Sequence, residues 1–141
     1  MLEYLEPFVG YANGGSHSTQ NLSSARWAIF APSGDLVSFE GIWISCSTNN
    51  IVEYNKLIKL LSDAISLGIR RIIIRLDSQL IVPQLTNVYT IRNPTIYRMF
   101  LRVRLLERHF DYMQYQHISR NFNTLTDSLG NYVLNRHLRH M

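Results

Sequence analysis

Hydrophobic and polar positions follow two distinct periods along the chain. In the first third, short apolar runs are cut by turn residues. PFVGYAN (7–13) reads as a buried strand ending at Asn13 and running into a small-residue turn. ARWAIFAP (25–32) reads as a second strand, PSGD (32–35) as a turn by composition, and LVSFEGIWIS (36–45) as an alternating third strand. Three strands on short connections predict an antiparallel meander. From residue 50 to 67 the period changes. Val52, Leu57, Ile58, Leu61, Ala64 and Ile65 recur at helical spacing, Asn50 with Glu53 resembles a capping box, and Gly68 is a C-terminal stop. IRRIIIRLD (69–77) is β-branched and reads as an interior strand. A short helix after DSQ ends near Asn87, and a longer one opens at Pro94 and runs to about His109. FDYMQYQHI (110–118) reads as a strand and residues 124–138 as a last helix weakened at Gly130.

The expected order is therefore β-β-β-α-β-α-α-β-α. It implies an α/β fold with one mixed sheet, three antiparallel strands and then two parallel ones, flanked by helices. No linker, repeat or low-complexity tract interrupts it, so residues 1–141 are expected to form a single domain. In such sheets sites gather at the carboxyl ends of parallel strands, where Asn13 and Asp77 are both expected.

Composition narrows the function classes. The chain is 46% hydrophobic and 17% charged, which excludes a disordered segment. No apolar run approaches a membrane span, so no membrane role is expected. Glu3 and Glu6 precede any basic residue, the first being Arg26, which argues against a targeting segment. Cys46 stands alone, which favours a reducing compartment, so an intracellular, non-secreted protein is expected. The net charge is +4, and twelve of the fourteen basic residues are arginine, the side chain suited to bidentate phosphate contacts. A polyanionic partner and a mildly basic soluble protein are equally consistent with that charge.

Taken one at a time, the acidic candidates have structural readings. Asp77 could N-cap the helix that follows it, Glu53 could complete the capping box, and Asp127 could be a first-turn helix residue favoured by the dipole. Asn49 and Asn50 suit a helix cap, and Arg120 a solvated loop. Arg92, Arg98, Arg102, Arg104 and Arg108 read most simply as a solvated helix face, and His117 as a satisfied, partly buried histidine.

Taken together, TNNIVEYNKLIKLL (48–61), DSQLIV (77–82) and HISRNFNTLTDSLGN (117–131) resemble the ribonuclease H family, in its branch associated with reverse transcriptases and plant retroelements. The resemblance extends from about Phe8 to Leu138, with the motifs in the family's order. It implies a ribonuclease H-like fold and two-metal hydrolysis of the RNA strand of RNA/DNA hybrids. The implied cofactor is Mg2+, two ions in the intact site, with Mn2+ a possible substitute. Glu53, Asp77 and Asp127 match three of the family's four metal-binding, catalytic acids, and Asn13 stands at the position of the fourth. Gly14, Thr48, Asn49, Asn50, Gln79, Arg120 and Asn123 match positions that contact nucleic acid.

Two departures accompany the match. Ser23, Ser24 and Arg26 occupy a region where the family carries glycines. Asn13 offers one neutral oxygen where the family has a carboxylate that bridges the metals, so little or no activity is expected. Two readings follow: a hybrid-binding domain with an impaired two-metal site, or a catalytically inactive, domesticated retroelement module that binds nucleic acid or a protein partner.

Overall fold

The computed structural model describes residues 6–17, 22–45, 49–79, 81–87 and 90–119, with the backbone alone at 13–17, 22–24, 44, 45 and 49. Its elements are β1 (Phe8–His17), β2 (Leu22–Phe30), β3 (Leu36–Ser45), α1 (Asn49–Ser66), β4 (Arg71–Leu76), α2 (Ile81–Leu85), α3 (Pro94–Glu107) and β5 (Tyr112–His117). The sheet order is β3-β2-β1-β4-β5. β1–β2 and β2–β3 pair antiparallel, and β1–β4 and β4–β5 pair parallel. This is the expected mixed sheet. The last expected helix, 124–138, lies outside the described residues.

β4 lies between β1 and β5, and its apolar residues follow from that place. Ile72, Ile74 and Leu76 are buried on one face, alternating with half-buried Arg71, Ile73 and Arg75. The buried side meets α1, whose Tyr54, Leu57, Leu60, Leu61 and Ala64 are fully buried. The approach is close at Gly10 on β1. A Cβ there would lie 3.0 Å from Leu60 Cδ2 and 3.3 Å from Ile74 Cδ1, so glycine lets the helix settle on the strand. Asp63 fixes α1 to the meander by accepting from Trp27 Nε1 at 2.9 Å and from Ser38 Oγ. The helix ends in a Schellman motif: Gly68 N–H donates to Ile65 O and Ile69 N–H to Ala64 O, both at 3.0 Å, with Gly68 at φ 77°. Asn93 caps α3 by accepting from Thr95 N and Ile96 N, with Pro94 opening the first turn as expected.

The structure corrects several local expectations. β1 does not stop at Asn13 but continues through Gly14 and Gly15 to His17, because residues 22–26 pair against it, Asn13 opposite Arg26. β2 accordingly begins at Leu22 and not at Ala25, so Ser23 and Ser24 join Arg26 on the strand. Asn50 lies inside α1, which begins at Asn49, so it is not the cap residue. Arg104 is no solvated charge. It is half-buried, bonds Glu107 at 2.9 Å and Leu85 O at 2.5 Å, and covers the Phe100 ring at 4.6 Å. His117 is exposed, not partly buried.

Candidate functional site

The parallel part of β1 ends at Ala12, paired with Leu76. Asn13 and Asp77 are the next residues on the two neighbouring strands, at the carboxyl ends where sites form in such sheets. The antiparallel partner β2 carries β1 onward past this point, so Asn13 sits where β1 outruns β4. Asp77 leaves β4 directly, and its carboxylate is 6% exposed. At the start of α2, Ser78 Oγ accepts from Ile81 N at 3.1 Å, so Ser78 takes part in capping that helix.

Glu53 is the fifth residue of α1, so the helix carries it to the same end of the sheet. Its partner is a residue that the motif reading passed over. Lys56 Nζ lies 2.8 Å from Glu53 Oε2 and 3.7 Å from Asp77 Oδ1, with the lysine side chain 1% exposed. One buried ammonium therefore joins the two acids. The available signal was helical: Lys56 lies four residues before Leu60 and four after Val52, on the stripe that α1 buries. A second buried cation, Arg26, stands in cross-strand register with Asn13.

The expected residues divide accordingly. Glu53 and Asp77 are brought together, and the backbone of Asn13 and Gly14 lies on the strand beside Asp77. Asn49 and Asn50 occupy the first turn of α1, Asn50 half-buried, and Gln79 is exposed just past Asp77. Thr48, Arg120, Asn123 and Asp127 lie outside the described residues.

Two carboxylates and an amide position are a poor match for two divalent ions. Such ions need clustered anionic oxygens to offset their charge. Here Lys56 already offsets part of it, and Asn13 supplies no charge. Among the described residues no group of three or more His, Cys, Asp or Glu side chains could hold a metal ion. The described residues do not fit the two-ion arrangement.

Two tyrosines, Tyr54 buried and Tyr115 half-buried, link the surrounding elements. Tyr54, next to Glu53, donates to Gln84 Oε1 at 2.7 Å, and burial pushes its hydroxyl up to about 12 against the opposing pull of Arg104. Tyr115 donates to Glu107 Oε2 at 2.5 Å. Burial, then the Glu107 charge, hold its hydroxyl well above the usual tyrosine range. Both stay protonated donors and tie α1 to α2 and β5 to α3.

The sheet order and the helices packed on it define a ribonuclease H-like fold, and comparison with solved structures agrees. Ribonuclease H1 from the halophilic archaeon Halobacterium salinarum superposes with a TM-score of 0.83 at 32% identity, covering 92% of this chain and 98% of that one. LC11-RNase H1, solved in complex with an RNA/DNA hybrid, superposes with a TM-score of 0.81 at 26% identity, covering 93% and 99%. The family model described as reverse transcriptase-like matches residues 11–133, and the chain belongs to this reverse transcriptase-like ribonuclease H family. In sequence it is 33% identical over 124 residues to ribonuclease HI of Halobacterium salinarum, which covers 88% of this chain. The chain spans 62% of the length of that curated relative. The family is metal-dependent. No helix among the described residues is long and apolar enough to cross a membrane.

Proposed function

We propose that this chain is a nucleic-acid-binding domain that takes RNA/DNA hybrids and in which hydrolysis of the RNA strand is impaired. The observation that carries the reading is the strand-end pair. Asn13 and Asp77 follow the last parallel register position of β1 and β4, with Glu53 joined to Asp77 through Lys56. A related fold in complex with a hybrid supports the substrate class. In this reading Asn13, Glu53, Asp77 and Asp127 stand at the catalytic positions, and the described residues among them do not complete a Mg2+ site.

Each group has a definite task in this reading. Asn49 and Asn50 at the start of α1, and exposed Gln79, offer neutral amide donors and acceptors to base edges and sugar hydroxyls on the side of the site. Gly14 leaves the β1 backbone bare beside it. Thr48, Arg120 and Asn123 are assigned to the same surface from the sequence motif. Exposed Arg92, Arg98, Arg102 and Arg108 are available for phosphate attraction without base selectivity. Asn13 keeps the shape of aspartate but not its charge, so the fold and the binding surface persist while hydrolysis is weakened.

The test is fluorescence anisotropy with a labelled hybrid and a DNA duplex of the same sequence. Hybrid affinity is expected to fall steeply with salt, because arginine–phosphate contacts release counterions. Gln79→Ala is expected to weaken hybrid binding more than duplex binding. No measurable hybrid binding at low salt would transfer the assignment to a protein partner. That alternative draws on Tyr97, Leu101 and Leu105, exposed at four-residue spacing along α3.

A further inference from the structure

We infer that Lys56 is a built-in counter-ion for the carboxylate site, doing the charge-balancing that the family otherwise leaves to metal, so that the site is assembled and receives nucleic acid without a divalent cation. The inference rests on the reading of this chain as a hybrid-binding domain and adds how the site is regulated, or rather freed, from metal supply.

Three observations carry it. The first is position: Lys56 Nζ lies 2.8 Å from Glu53 Oε2 and 3.7 Å from Asp77 Oδ1, between the two acids that the fold brings to the strand ends. The second is burial. Lysine is rarely enclosed without a partner, yet Lys56 is 1% exposed and Asp77 6%. An ammonium that deep cannot swing into solvent to make room for an ion without leaving a buried stem behind. The third is charge. Among the described residues, Glu53 and Asp77 bring two negative charges and Lys56 removes one, while Asn13 contributes none. Mg2+ requires oxygens at about 2.0–2.1 Å. One bound to Glu53 Oε2 on the side facing Asp77 would lie against the ammonium, like charge against like charge in a poorly solvated place.

Replacing Asn13 alone therefore does not rebuild a metal site in this chain, because the cation at the centre remains. Lys56 also explains how two carboxylates are held together at the end of a sheet, where they would otherwise repel. A broken buried pair leaves an uncompensated charge, so losing Lys56 creates a demand for another cation.

Isothermal calorimetry with MgCl2 on four proteins tests this: the unmodified chain, Asn13→Asp, Lys56→Met, and Asn13→Asp with Lys56→Met. Methionine keeps an unbranched stem of similar reach. The unmodified chain and Asn13→Asp are expected to show no saturable Mg2+ uptake at millimolar concentration. The double variant is expected to bind at least about tenfold more tightly than Asn13→Asp, one unbalanced charge being worth at least that factor. Equal Mg2+ affinity in Asn13→Asp and the double variant overturns the proposal. If Lys56→Met does not fold, the unmodified chain decides the matter: hybrid affinity in EDTA and in Mg2+ at matched ionic strength is expected to agree within about twofold, and loss of binding in EDTA overturns the proposal. No hybrid binding in either buffer overturns the functional reading instead, while the Mg2+ titration of the unmodified chain and Asn13→Asp still judges Lys56.

Discussion

At the scale of single residues, the chain shows how one side chain changes the meaning of its neighbours. Glu53 on its own fits a capping role, and Asp77 fits a helix cap. With Ser78 capping α2 and Lys56 joining Glu53 to Asp77, both acids become parts of one charged cluster. Lys56 was hidden in the sequence because a lysine on a helix is ordinarily read as exposed or snorkelling. Only its place on the buried stripe of α1 marks it, and periodicity alone does not tell a buried ammonium from an exposed one. Tyr54 gives the clearest titration consequence at this scale. Its folded pKa of about 12 exceeds the free value of 10, so the folded state keeps a proton that the unfolded chain loses. The stability it contributes is complete below pH 10 and is lost as pH rises from there through 12. Chemical denaturation at pH 8 and pH 11 is expected to show lower stability at the higher pH, with a smaller decline in Tyr54→Phe. An equal decline in that variant would assign the alkaline loss elsewhere, Tyr115 being the other tyrosine with a raised pKa.

At the scale of elements, the legible parts are those whose pattern is local. β3 matches its expected span because its residues alternate, and α3 starts at Pro94 because Asn93 and Pro94 are a cap signal written in sequence. α1 is offset by one residue from its expected span, and its end at Gly68 follows from a glycine that occupies the left-handed region. Gly-Gly-Ser at the end of β1 reads as a turn, yet the strand continues because β2 supplies a paired edge as far as His17. The hairpin partners, Arg26 for Asn13 and Leu22 for His17, decide that end, and the composition of β1 by itself does not report them. Gly68 offers a test at this scale. At φ 77° a Cβ is strained, and Gly68→Ala is expected to lower stability by about 1 kcal/mol, measured by urea denaturation with the slope unchanged. An unchanged midpoint would mean that the α1–β4 junction does not depend on the left-handed turn.

At the scale of the whole molecule, the proposed reading separates two properties, hybrid binding and hydrolysis. The sheet and α1 are those of a ribonuclease H-like fold. The centre of the site carries an amide position at 13 and a buried ammonium at 56. The fold class was legible from the order of strands and helices, but the site set was not. Asn13, Glu53 and Asp77 lie far apart along the chain, and only their likeness to the motifs of a known family drew them together. What the motifs could not convey is the charge state of the assembled site, because that depends on which side chains the packing of α1 against β4 brings within an ion-pair distance. The account thus holds that binding survives and cutting does not.

A single-turnover experiment puts that statement to the most direct test. The RNA strand of a hybrid is end-labelled, bound by excess protein in Mg2+, and followed by gel for bound fraction and strand length together. The expected result is a fully bound hybrid whose RNA stays intact, since losing metal stabilisation of the transition state removes several kcal/mol and hence orders of magnitude in rate. Efficient conversion of the bound RNA to short products by the unmodified chain, absent from an Asp77→Asn control, would contradict the account.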